Sequence, residues 1–185
     1  MPSSPKANRG PSAGPENRRA LLAAAREVFA TEGLSAPLSA VARKAGVGQG
    51  SLYRHFPDRT ALAVAVFDEN LTELETFMDG PDSTLSDLLD RVIEQAIVST
   101  ALIELIWAHS HDERVVHLGE RLHTMVAREL DREQDAGRLG SHVAVDDVLL
   151  AVSMLAGVLA RTYADERRAT GRRAVALFAH AFAPR

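Results

Sequence analysis

Between a helical pattern that ends at Ala45 and another that begins near Gln49, the chain offers only Gly46, Val47 and Gly48. That spacing constrains the fold more than any other feature. Two helices joined by so short a turn must cross steeply, and the turn needs a residue tolerant of positive φ. Gly46 supplies it at the end of the first helix. Gly48 falls at the N-cap of the second, where glycine is acceptable, and Val47 plugs the turn into the core. The same stretch, Ala45 to Leu62, carries three glycines within five residues, followed by Ser51, as a phosphate-cradling loop does. A dinucleotide fingerprint, however, needs G-x-G-x-x-G after a strand in a βαβ unit. Here the third glycine is replaced by Ser51, the preceding segment reads as helix, and there is no GKS or GKT. The stretch reads as a helix-turn-helix.

Helical periodicity extends over almost the whole chain. Leu21, Ala24, Ala25, Val28 and Phe29 follow the i, i+3, i+4 rule, and Gly33 ends that helix. Leu38, Val41, Ala42 and Ala45 form one face of a short second helix with Pro37 in its first turn. A third runs from Gln49 to His55. Asp58 is a candidate N-cap for a fourth, carried to Asp79 by Leu62, Val66, Phe67, Leu71, Leu74 and Met78, and Gly80–Pro81 stops it. Leu85 to Trp107 is apolar on more than one face and should be central. His109 to Asp112 is a corner, and Val115 to about Gln134 is amphipathic. Val145 to Tyr163 is nearly all apolar, and Gly171 precedes a last helix through Val175, Phe178 and Phe182. No strand alternation appears. The prediction is an all-α chain of about nine helices. It has a disordered Pro/Ser/Gly tail over 1–15, a helix-turn-helix domain over 16–62 and a helical body over 63–185.

Composition narrows the function. Of 185 residues, 46% are apolar and 25% charged, as in a soluble globular protein. With no cysteine, a disulfide framework and thiolate metal sites are excluded, and a reducing cytoplasm is the natural home. The Val148–Ala160 run without charge is 13 residues, short of the ~20 that span a bilayer, so no membrane partner is expected. The net charge of −4 is unevenly spread: residues 1–60 hold nine Lys/Arg against four Asp/Glu, leaving the remainder at −9. A basic head on an acidic body suits a polyanion-binding protein.

The second helix of the motif supplies groups for such a partner. Gln49 can pair with adenine and Arg54 with guanine, Ser51 and Tyr53 serve phosphates, and His55 adds a polar ring. Gly50 allows backbone to approach backbone, and Leu52 and Phe56 anchor the inner face. At this point the residues carry a resemblance. Ala25, Phe29, Gly33, Val41-Ala42, Ala45-Gly46-Val47, Gly50-Ser51-Leu52-Tyr53, His55-Phe56 and Arg59-xx-Leu62 resemble the DNA-binding domain of the TetR family of bacterial transcription regulators. The resemblance covers Arg18 to Leu71. It implies that Gln49, Gly50, Ser51, Tyr53, Arg54 and His55 line the recognition helix and that Arg59 holds a phosphate, helped by the dipole of the fourth helix. The family's usual Thr at the start of helix two is absent here, and Ser39 stands in for its phosphate contact. Gly48 replaces the commoner Ser.

The resemblance also implies a homodimer joined through the last two helices, Val145 to Tyr163 and Arg173 to Phe182, and a body enclosing a small-molecule effector. Candidate lining residues are Phe67, Phe77, Met78, Trp107, Met125 and Met154. Five histidines fall within positions 109–142, and Glu120-x-x-His123 copies half of a di-iron carboxylate motif, but the second half is absent. The prediction is a cytoplasmic, non-enzymatic repressor without cofactor, binding a palindromic DNA operator and released by an effector. The rival is a small helical-bundle metalloprotein or enzyme using Glu120 and His123.

Overall fold

A computed structural model describes residues 14–33, 35–80, 83–98, 109 and 111–185. Among these residues there are eight helices and no strand. They are α1 Gly14–Glu32, α2 Leu38–Lys44, α3 Gln49–His55, α4 Arg59–Met78, α5 Leu85–Val98, α6 Glu113–Asp135, α7 Val145–Arg161 and α8 Arg167–Phe182. Residues 1–13 of the expected tail lie outside the described residues. Gly14 and Pro15, also assigned to that tail, begin α1 instead. Pro15 is tolerated because a first-turn N–H has no helical acceptor, and Glu16 favours the positive helix end. The later part of the predicted Leu85–Trp107 helix, residues 99–108, also lies outside the described residues.

Local chemistry sets the helix ends. Gly33 (φ 76°) and Gly46 (φ 67°) take the left-handed conformation that a side chain disfavours. Asp58 caps α4 by accepting the Ala61 N–H at 2.6 Å. Thr84 and Asp87 cap α5 reciprocally: the carboxylate accepts the Thr84 N–H at 2.9 Å, and the hydroxyl accepts the Asp87 N–H at 3.2 Å. Asp112 accepts the Arg114 N–H at 3.0 Å at the start of α6. Pro37, expected within the first turn of α2, is its N-cap, extended at ψ 137°.

Gly171 requires a second correction. The last helix begins at Arg167, so this glycine lies inside α8 and does not precede it. It is buried against α5, where a Cβ would come within 2.8 Å of Ile93 Cγ1. Its role is close helix approach and not chain breaking.

Three apolar clusters organise the chain. The first joins α1, α2, α3 and the first half of α4 through Leu21, Phe29, Val41, Leu52, Phe56, Leu62 and Val66. The second joins the end of α4 to α5, α6, α7 and α8 through Met78, Leu88, Val126, Val148 and Phe182. The third seats Leu89 and Ile93 of α5 against Leu155 and Leu159 of α7. α4 therefore contributes to the first two, so the N-terminal unit and the body share one continuous helix. No helix among the described residues is long and apolar enough to cross a membrane.

Two carboxylates are buried in the body. Glu129 is fully enclosed and paired with Arg132 at 2.6 Å, and Arg132 also donates to the Gly80 carbonyl and the Ser83 hydroxyl. Glu133 receives Arg138 at 2.9 Å. Both arginines convert what would be costly buried charge into a hydrogen-bonded pair.

Candidate nucleic-acid interface

The turn between α2 and α3 is closed by backbone bonds. The Gly46 N–H donates to the Arg43 carbonyl at 3.1 Å and the Val47 N–H to the Ala42 carbonyl at 2.9 Å, as at a glycine-terminated helix end. Val47 packs half-buried against the first cluster. Gly48 is the N-cap of α3 and adds no side-chain cap, so the Ser51 and Leu52 N–H groups close on its carbonyl.

α3 then divides by face. Leu52 (0% exposed) and Phe56 (2%) point into the core. Gln49, Gly50, Tyr53 and Arg54 face solvent, with Tyr53 53% exposed despite its large ring. Ser51 and His55 are half-buried. The His55 ring lies 6.2 Å from that of Phe56, and Arg54 Nε donates to the Gly50 carbonyl at 3.3 Å along the helix. Burial of two apolar anchors fixes the helix axis, and the opposite face is left as a row of hydrogen-bonding groups. Such a short helix, presented over a buried base, suits entry into a major groove.

Ser39 is half-buried in the first turn of α2. Arg59 does more than was read from sequence: its Nη1 donates to the Ala36 carbonyl at 2.6 Å, tying the start of α4 to the α1–α2 loop. Arg43 and Lys44 at the end of α2 are both exposed beside the turn, and Lys44 reaches Glu27 at 2.6 Å. The sequence signal for them was the basic end of a short helix next to the turn.

Comparison with known proteins agrees with this geometry. Residues 21–66 match the family described as bacterial regulatory proteins, tetR family. The matched segment runs from Leu21 within α1 through α2, the turn and α3 to Val66 in α4. Residues 21–66 of this chain form a TetR-family domain.

The likeness to solved TetR structures runs well beyond that segment. A TetR transcriptional regulator from Streptomyces coelicolor superimposes with a TM-score of 0.67 at 27% identity, covering 90% of this chain and 98% of that one. The TetR transcription regulatory protein of Mycobacterium vanbaalenii, at 24% identity and TM-score 0.61, shares the fold over 81% of this chain and 96% of its own. The HTH-type transcriptional regulator AcrR of Shigella flexneri is 31% identical over 104 residues, which is 50% of this chain and 48% of AcrR. The chain thus spans about half the length of that curated relative. Members of the TetR family are transcription regulators and not enzymes.

In the body, the five candidate lining residues that are described do not form one group. Met78 and Met125 are buried together in the second cluster. Phe67 belongs to the N-terminal cluster. Phe77 is 39% exposed, with the Arg91 guanidinium 4.2 Å above its ring. Met154 is 53% exposed on the outside of α7. Trp107 lies outside the described residues. A cavity of about 310 Å³ does open between α7 and α8, lined by His142, Asp147, Leu150, Met154, Phe178 and Arg185.

The Glu120–His123 pair stands exposed on α6, and Glu120 instead faces His117 Nδ1 at 3.9 Å. Among the described residues no three His, Asp or Glu side chains are grouped to hold a metal ion. The last two helices, expected to join the dimer, carry apolar side chains on their outer face. Leu150, Met154 and Val158 recur every four residues along α7, each about half exposed, and Leu177 stands out from α8.

Proposed function

We propose that the chain is a cytoplasmic, effector-responsive repressor that binds a palindromic operator as a homodimer. The observation that carries the reading is the division of α3: Leu52 and Phe56 are locked inward while Gln49, Tyr53 and Arg54 are held out. Gln49 and Arg54 supply base-edge contacts, Ser51 and Tyr53 phosphate contacts, and Gly50 close backbone approach; His55, Ser39 and Arg59 flank them. One seven-residue helix offers too few contacts for a specific site, and a two-fold pair doubles them.

The stripe of Leu150, Met154 and Val158 on α7, with Leu177 exposed on α8, supports the dimer. Large apolar side chains recurring on one helix face stay in water only at a cost, and a second copy of the same face removes it. For the effector, Met78 and Met125 are the inward-facing candidates among the described residues. Release follows if the effector binds more tightly to a body whose α4 position separates the two recognition helices wrongly.

The test is a gel shift on the DNA flanking the chain's own gene, across a salt series. A sequence-selective shift should appear, lose affinity steeply with salt and weaken at least tenfold in Arg54→Ala and Tyr53→Ala. A wild-type protein that shifts no such DNA selectively refutes the reading.

A further inference from the structure

α6 carries arginines at 114, 121 and 128. Seven residues make almost two whole turns of helix, so the three lie along one nearly straight stripe. Each meets an acid of α4 or of its two caps, and in the same chain direction. Arg114 Nη1 lies 3.5 Å from Asp58 Oδ1, the oxygen that also caps α4. Arg121 spans two stations: it binds Asp68, and it reaches Glu75 through Nε at 3.0 Å and Nη2 at 2.5 Å, with the Thr72 hydroxyl at 3.0 Å between them. Arg128 closes on Asp79 at 2.6 Å. The stripe therefore follows α4 from its cap to its last turn.

The opposite flank of α4 is held by the N-terminal unit. Arg26 of α1 contacts Glu69 at 3.3 Å and Glu73 at 3.2 Å, and Arg18 approaches Glu69 at 3.9 Å. Acids at 69 and 73 thus face α1, and those at 68, 75 and 79 face α6. Among the described residues α4 is the helix that enters both the first and the second apolar cluster, and each unit grips it with its own arginines. Single exposed ion pairs are weak. The Arg121 set differs, because one planar guanidinium engages two carboxylates and a hydroxyl with geometry a lysine cannot reproduce.

We propose that Arg114, Arg121 and Arg128 are positioning residues: they form an ionic rail through which the body sets the orientation of α4, and with it the recognition helix, which is joined to α4 through residues 56–58 and shares the first apolar cluster with its first half. The functional half of this proposal rests on the DNA-binding reading above; the mechanical half does not. Arg121 is the fulcrum, and Arg114 fixes the capped end nearest α3. Any movement of α6 must carry α4 along or break charge pairs.

The chain has no cysteine, so a spin-label pair can be placed at Ala23→Cys on α1 and Asp131→Cys on α6, both exposed. Diluting labelled with unlabelled protein isolates the within-chain distance, whatever the oligomer. Arg121→Gln should shift or broaden that distribution with little change in melting temperature, and should weaken the gel shift about tenfold, within the usual span of coupling between sites. Arg128→Asp should also disturb the distance, and adding Asp79→Arg should restore it. Distances unchanged in both Arg121→Gln and Arg128→Asp overturn the rail, and so does an Arg128→Asp shift that Asp79→Arg fails to repair. If the wild type binds no DNA, the repressor reading fails while the distances still decide the rail.

Discussion

Arg59, the first residue of α4, holds the Ala36 carbonyl at 2.6 Å across 23 positions of chain. The carbonyl belongs to the loop that leads into α2, so one guanidinium sets the spacing between the start of α4 and the helix before the turn. Arg59→Ala should lower the unfolding free energy by about 2 kcal/mol, within the range for a hydrogen bond from a charged donor. In a chain of this size that is a fall in Tm of roughly 3–8 °C, measured by circular dichroism. An unchanged melt would show that the contact does not hold the loop.

The Glu129–Arg132 pair predicts a larger loss. Glu129 is fully enclosed and its carboxylate depends on Arg132. Removing the cation alone strands a buried charge, so Arg132→Met should cost about 3 kcal/mol in urea unfolding. Glu129→Leu combined with Arg132→Met removes both charges and should recover most of that loss. Equal stabilities for the single and double variants would contradict the pairing.

The exposed stripe on α7 predicts an oligomer change. Burying a methionine or leucine side chain is worth roughly 1.5–3 kcal/mol, and Met154 and Leu150 stand in the middle of the proposed interface. Met154→Lys or Leu150→Lys should therefore raise the dimer dissociation constant at least ~tenfold, seen by analytical ultracentrifugation. The monomer's helix content should be unaltered, because both side chains lie outside the core. A dimer of undiminished strength in both variants would place the interface elsewhere.

Asp112 predicts a pH dependence at the start of α6. The hydrogen bond from Arg114, aided by the Arg114 backbone N–H, holds its carboxyl down at about 2, against an ordinary 3.8. A depressed acid contributes stability that is full above its unfolded value and is lost as pH falls through its folded one. The cap should thus hold at pH 4 and above and release between about pH 4 and 2. Titration of the Asp112 side-chain carboxyl by NMR should give a midpoint near 2 in the wild type, rising toward 3.8 in Arg114→Gln. A wild-type midpoint near 3.8 would show that Arg114 does not engage it.

Most of the N-terminal unit was legible because its determinants are local. Gly33 and Gly46 take the positive φ their positions imply, and Asp58 caps α4. Leu52 and Phe56, four apart, turn inward as helical spacing demands. Each of these follows from a few neighbouring residues, so a linear pattern carries it. Gly171 shows where that logic fails. Glycine near a helix start reads as a breaker, yet here it is an interior contact, because Ile93, far away in sequence, leaves no room for a Cβ.

The body was less legible for the same reason. An apolar residue on a helix announces burial without naming the partner, so Met78 and Met154 looked alike in sequence and ended on opposite sides, one at 0% and one at 53% exposure. The arginines at 114, 121 and 128 share a sevenfold spacing visible in the sequence. That spacing says only that they lie on one stripe; that the stripe meets Asp58, Asp68, Glu75 and Asp79 depends on how α4 and α6 pack. The sequence by itself determined most of the helix pattern, the Asp58 cap, the glycine turn and the inward pair Leu52 and Phe56 on α3, since backbone conformation and amphipathic spacing act over a few residues. Only the tertiary structure decided which charges pair, which methionines are buried and where Arg59 reaches, since those depend on distances between segments that no periodicity encodes.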